Sequence, residues 1–307
     1  MHMARKRNPN YPCGDNPPNG ALIFYSFPEP PKDEVTLQIF APDGRLIQTY
    51  SCKHKPFPHP ELINFNVSDG TTMVSKSAGM NRFVWDLRYP VVNTVEGAIV
   101  WGFTGGPRAA PGTYKVKISA GKWSQSQSFK ILKDPRIMTT QAEFEEQRDL
   151  LLKMRESLNE IYDGVRIVRE VRKQAKDLVD RLGKAGYDVT DLQKAADSLS
   201  EKLSNIEREL MQPKNSARQD TENFPTKLDN QLAYIYWMLD RVDNRPTEGQ
   251  IERFQDLEKE KEVLLTKLHH IIDTDLAAFN EMIQKAGKPP IILPSATKQI
   301  EQRKRFP

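Results

Sequence analysis

Lys133-Asp134-Pro135-Arg136-Ile137-Met138-Thr139-Thr140 is the stretch at which the chain changes its grammar, with the tripeptide Asp134-Pro135-Arg136 as the pivot. Up to and including Pro135 lie 15 of the 22 prolines and 11 of the 16 glycines, set among short runs rich in Val, Ile, Phe, Tyr and Thr. Beyond it no proline occurs until Pro213, and apolar residues recur every three or four positions. A β-type half is therefore joined to a long α-helical half.

Working back from the pivot, the runs read as strands. Ala21 to Ser26 follows the turn signal Asn16-Pro17-Pro18-Asn19-Gly20. Val35 to Phe40 and Arg45 to Tyr50 flank Pro42-Asp43-Gly44, a hairpin signal because glycine tolerates the positive φ of such turns. Val35, Leu37 and Ile39 alternate with Thr36 and Gln38, which predicts one buried and one wet face. After a less regular stretch, Cys52 to Ser77, come Gly79 to Arg88 and a last hairpin of Gly112 to Ile118 with Ser126 to Ile131. Six or seven strands with such turns predict an immunoglobulin-like β-sandwich over 16–133, preceded by an irregular segment, 1–15.

Working forward, Thr140-Gln141-Ala142-Glu143 has capping-box spacing and starts a helix. Two heptad rows follow: Phe144, Leu151, Leu158, Val165, Arg172, Val179, and Gln147, Met154, Ile161, Val168, Ala175, Leu182. Only Gln147 and Arg172 interrupt them, and Gly183 and Gly186 supply a stop. Further helices are expected over about Thr190 to Met211 and Pro225 to Val242, and from the box Thr247-Glu248-Gly249-Gln250 onward, continuing or restarting at Thr274 up to Gly287. Lys214 to Asn223 reads as a polar loop. The fold class predicted is thus α+β multidomain, the sandwich followed by an antiparallel four-helix bundle over 137–288 with one long first helix, then an extended tail, 289–307. The alternative use of the heptad stripe is a coiled coil with a second chain.

Composition bounds the function. Charged residues make up 28% and hydrophobic ones 38%, with a net charge of +4, and no apolar run approaches the roughly 20 residues of a spanning helix. Short basic clusters sit at the two ends, Arg5-Lys6-Arg7 and Arg303-Lys304-Arg305, with no broad basic patch, so no nucleic-acid partner and no membrane span are expected. The basic start leads into Asn8-Pro9-Asn10-Tyr11-Pro12 rather than an apolar signal region, so a signal for export would lie on sequence outside this chain. Cys13 and Cys52 read either as one disulfide or as two free thiols.

Few residues suggest chemistry. Cys52, His54 and His59 fit no zinc spacing, and His269 with Asp273 lacks a third ligand, so neither metal nor cofactor is expected. There is no Gly-x-Ser-x-Gly elbow, HExxH, phosphate loop or dinucleotide fingerprint, and five histidines sit in three places. Trp85 lies in a strand-like run and reads as core. Tyr234, Tyr236 and Trp237 read as packing. Trp101, in Val100-Trp101-Gly102-Phe103-Thr104-Gly105-Gly106, is the candidate ligand-binding residue, an aromatic face in a glycine-rich loop able to stack on a sugar ring. No catalytic residue is assigned, and the expectation is a non-enzyme.

Several phrases together resemble a known arrangement: Asn16-Pro17-Pro18-Asn19-Gly20-Ala21, Ala78-Gly79-Met80-Asn81-Arg82-Phe83-Val84-Trp85-Asp86-Leu87-Arg88-Tyr89-Pro90, Pro111-Gly112-Thr113-Tyr114 and Asp134-Pro135-Arg136. They resemble the C-terminal region of large bacterial sortilin-like proteins with BNR (Asp-box) β-propellers, often labelled glycosyl hydrolase-like. Asn223 to Asn230 is similar to the start of their third helix. The Gly-x-Asn-x-x-x-Trp-Asp pattern also resembles the immunoglobulin-like domain of flagellar hook-capping proteins. The repeated Asp-boxes of the propeller are absent, Ser68-Asp69-Gly70-Thr71 being only an echo, and no catalytic residue of that family matches a position here.

The resemblance implies a non-catalytic protein-interaction or scaffolding module, a stand-alone equivalent or fragment of such a tail, with a protein partner such as a β-propeller domain. It implies a periplasmic or extracellular place. The alternative expectation is a carbohydrate-binding module, with a glycan as partner, or part of a glycosyl hydrolase-like protein whose active domain lies on other sequence.

Overall fold

The computed structural model describes residues 18–53, 73–217 and 219–293. Its architecture is α+β, with two antiparallel sheets in the N-terminal part and a mostly helical C-terminal half. The strands are β1 (Ala21–Phe27), β2 (Val35–Phe40), β3 (Leu46–Ser51), β4 (Gly79–Trp85), β5 (Gly112–Ala120) and β6 (Trp123–Ile131). β1 pairs with β4 alone, and the other four form a sheet in the order β3-β2-β5-β6. Gly44, at φ 84°, closes the β2–β3 turn as its sequence predicts.

Side-chain alternation welds the sheets to one core. Val35, Leu37 and Ile39 of β2 are fully buried while Thr36 and Gln38 are not. They share a cluster with Phe27, Phe83 and Trp85 of the first sheet and with Ile47, Tyr114 and Ile118 of the second. The Trp85 indole meets Tyr114 and Phe129 at ring centroid distances of 5.5 and 6.0 Å. Trp85 is core, as read.

Past the pivot, α1 (Gln141–Lys184) opens with the Thr140–Glu143 capping box and ends at Ala185, with Gly186 at φ 83°. At 44 residues it is about 66 Å long. Both heptad rows face inward, and the two residues that break them have structural work. Gln147 is buried and donates to the carbonyls of Leu239 and Val242 at 2.8 and 2.6 Å. Arg172 binds buried Glu207 at 2.8 Å, beside Arg169 at 2.6 Å, and so ties α1 to α2 (Thr190–Leu210).

The rest of this half comprises α3 (Asp220–Asn223), α4 (Leu228–Asp240), α5 (Glu248–Ile271) and α6 (Ala277–Lys285). Two sequence expectations are refined. The stretch taken as a polar loop contains the single turn α3, whose Asp220 carboxylate accepts the N–H groups of Ser216 and Ala217. The last helix neither restarts nor runs on regularly, because a π-helical turn, Ile272–Leu276, links α5 to α6. α1 packs on α2, α4 and α5, and α2 packs on α4, α5 and α6. The tail doubles back: Ile291 is buried, held by both backbone groups to Asn280.

The β half also enters the helical core. Between β4 and β5 the chain leaves its sheets, and Val92, Val95, Ala98, Val100 and Phe103 are buried among the helices. Burying side chains of this kind contributes roughly 1.5–3 kcal/mol each for the larger ones.

Candidate functional site

The segment from Arg88 to Arg108 lies along the helices like a bound strap, and its backbone is held mainly by side chains. Arg155 donates to Pro90 O at 3.2 Å, Asn159 accepts from Asn93 N at 2.8 Å, and Arg166 donates to the carbonyls of Asn93 and Thr94. Arg169 takes Glu96 O at 2.6 Å, Asn215 takes Ile99 O at 3.0 Å, and the Tyr236 hydroxyl takes Gly105 O at 2.6 Å. Non-helical backbone buried against helices needs such partners, because an unpaired buried amide is costly.

Both ends of the strap converge on Asp240, the last residue of α4. Its buried carboxylate accepts Arg88 through both terminal nitrogens at 3.1 Å, and Arg108 bonds its carbonyl. Arg88 also stands over the Phe103 ring, 5.1 Å from its centroid. Just before it, Leu87 takes φ 61°, so that the Asp86 carboxylate accepts Arg88 N and the Trp85 indole donates to Arg88 O. The Trp85-Asp86-Leu87-Arg88 phrase is thus a joint. The pivot tripeptide is a local device by comparison. Asp134 accepts the Arg136 side chain and N–H, which hold its carboxyl down at about 2.

Where the strap meets the first turns of α4, a cleft of about 450 Å³ opens beside Trp101. The Trp101 N–H is taken by the Asn230 side chain, and Phe103 N donates to Ala233 O at 3.2 Å. Gly102 permits that approach: a Cβ there would stand 2.6 Å from the Ala233 carbonyl. The glycines of this run serve close packing, not phosphate. Tyr234 and Ile235 line the same cleft, with Asn230 and Gln231 one turn earlier on the same face of α4. Arg253 of α5 reaches in and donates to the Gln231 side-chain oxygen at 2.5 Å. Thr221 and Glu222 of α3 and Thr226 complete the rim. Trp101 is 38% exposed and Tyr234 42%, so both aromatic rings reach solvent. Beneath the cleft, Asp229 is buried, and burial pushes its carboxyl up to about 7 against bonds from Asn230 N and the Tyr162 hydroxyl.

The other residues singled out do not join this site. Cys52 is a half-buried free thiol whose sulfur accepts Val35 N at 3.3 Å; Cys13, His54 and His59 lie outside the described residues. His269 and Asp273 are exposed at the π turn, and among the described residues no group of three or more potential ligands could hold a metal. Tyr236 is buried and the Tyr234 ring packs on Trp237 at 5.7 Å, as expected of packing residues, but Tyr234 also lines the cleft. Tyr234, Gln231 and Arg253 join Trp101 only in the fold; the spacing of Asn230, Gln231 and Tyr234 on one helical face is the local signal for the α4 wall.

A second feature lies on the opposite kind of surface. The outward face of the β1–β4 sheet pairs Leu22 with Val84, Phe24 with Arg82, and Ser26 with Met80. Leu22 is 44% exposed, Phe24 59% and Met80 73%. Among the described residues no helix is long and apolar enough to cross a membrane. No family model, curated protein or solved structure matches the chain.

Proposed function

We propose that the chain is a non-catalytic protein-interaction module, an immunoglobulin-like sandwich mounted on a four-helix bundle. The outward face of β1 and β4 is its docking surface. That face carries the reading: Leu22, Phe24 and Met80 are large apolar side chains exposed on one face of a regular sheet, with Arg82 and Ser26 among them, and exposed apolar surface rimmed by polar residues marks interaction sites. Arg82 would meet an acidic group on the partner. The sandwich reading is supported by the single core shared between the sheets. The bond from the Tyr114 hydroxyl to Ala110 O at 2.7 Å adds support, being the kind of corner found in immunoglobulin-like domains. The bundle reading is supported by the mutual packing of α1, α2, α4 and α5.

The occupant we favour is a BNR-type β-propeller, in an exported setting. In the proteins that this chain resembles a propeller precedes the equivalent region. The test is co-elution of the intact chain with a recombinant sortilin-like propeller domain, repeated with Phe24→Asp and Met80→Asp. Complex formation lost in both variants, with unchanged melting of the chain, is the expected outcome. No complex, or one indifferent to both substitutions, rejects the docking surface, and self-association through this face rejects the propeller as occupant.

A further inference from the structure

We infer that the Trp101 cleft is a binding site for one neutral pyranose unit of an oligosaccharide, independent of the β1–β4 face. Trp101 and Tyr234 reach the cleft from the strap and from α4, each exposed enough for a ring to touch a ligand. A sugar ring carries a face of C–H bonds, slightly positive at hydrogen, and this face complements the negative face of an aromatic ring. The volume, about 450 Å³, lies in the range of small-molecule sites.

The polar groups select among ligands. Gln231 and Thr226 bring a neutral amide and a hydroxyl to the rim, which donate and accept as sugar hydroxyls do. Among the described residues the cleft carries one charge of each sign: Arg253, which donates to the Gln231 side-chain oxygen and pairs with Glu260 at 3.4 Å, and Glu222, so its rim is mixed rather than a cationic or an anionic pocket. An extended peptide would need a row of backbone partners. The flanking backbone is already used: α4 bonds within itself, Trp101 N goes to Asn230, and Phe103 N goes to Ala233. The loop bearing Trp101 is already pinned to α4 by the bonds from Trp101 N and Phe103 N, an approach that Gly102 permits, so little ordering cost falls on binding.

The experiment titrates the intact chain with gluco-, xylo-, manno- and N-acetylglucosamine oligosaccharides, alongside oligogalacturonate and choline, and reads the tryptophan indole N–H resonances. The expected result is that at least one neutral oligosaccharide shifts the Trp101 indole signal. Trp101→Ala and Tyr234→Ala should each weaken binding about tenfold, the scale of one aromatic contact. Gln231→Ala, which leaves both rings in place, should weaken it too, and Phe24→Asp should leave it unchanged, separating this site from the docking face. Silence across the neutral panel, a preference for oligogalacturonate or choline, or neutral binding that moves another indole and survives Tyr234→Ala would each overturn the inference.

Discussion

Asp229 shows how much one residue's surroundings can alter. A carboxyl at the start of α4 would ordinarily be ionised and would favour the helix N-terminus. Here burial outweighs the bonds from Asn230 N and Tyr162, and the folded protein holds a proton that the unfolded chain releases. The sign follows from linkage. Between about pH 4 and pH 7 the native state binds more protons than the unfolded state, so stability falls as pH rises through this window and levels off above it. Thermal melts from pH 4 to 8 should show this decline. Asp229→Asn, which keeps an acceptor without a titrating proton, should flatten it. A variant with the same slope as the parent would show that Asp229 ionises freely in the fold. Nothing in the local sequence Lys227-Leu228-Asp229-Asn230 signals this behaviour, because it comes from burial in the folded core, where even the side-chain partner of Asp229, Tyr162, lies 67 residues earlier.

At the scale of elements, strands and helices were legible and their attachment was not. Val35, Leu37 and Ile39 alternate as read, and the rows on α1 face inward as read. The two interruptions, Gln147 and Arg172, look like flaws in a heptad yet are its cross-ties, one to the end of α4 and the other to α2. The segment between β4 and β5 has no periodicity at all, and its meaning lies in what receives it. Gly102 is the sharpest test. Gly102→Ala places a methyl 2.6 Å from backbone of α4, which cannot yield as a side-chain tip would. We expect a loss of about 2 kcal/mol, the scale of overpacking, seen as a lower denaturant midpoint. It should be accompanied by faster hydrogen exchange at Phe103. An unchanged midpoint would mean that the strap is not pressed to the helix.

For the molecule as a whole, the change of grammar at Asp134-Pro135-Arg136 and the mechanical joint lie in different places. The tripeptide closes on itself through Asp134 and Arg136, whereas the halves are locked by Arg88, Arg108 and Asp240 and by five apolar residues of the strap. Splitting the chain after Asp134 should therefore not yield two good folds. The intact chain should melt in one calorimetric transition. The helical piece alone, from residue 135, should melt earlier and bind the dye ANS, because the positions of Val92, Val95, Val100 and Phe103 stand empty. Two separate transitions in the intact chain, or an undiminished helical fragment, would contradict a shared core.

What the sequence determined by itself is the kind and order of the elements, including both capping boxes, the β2–β3 hairpin and the burial of Trp85. These depend on periods of two or of three to four residues and on turn chemistry, all of which act within a few positions. Trp101 was legible as an exposed aromatic for a similarly local reason, its glycine-rich neighbours. Only the tertiary structure decided that Trp101 and Tyr234 line one cleft, that the strap belongs to the helices, and that Arg88 meets Asp240 across 152 residues. Such pairings follow from which surfaces the folded chain brings together and which buried polar groups must then be satisfied, and no local pattern carries that information.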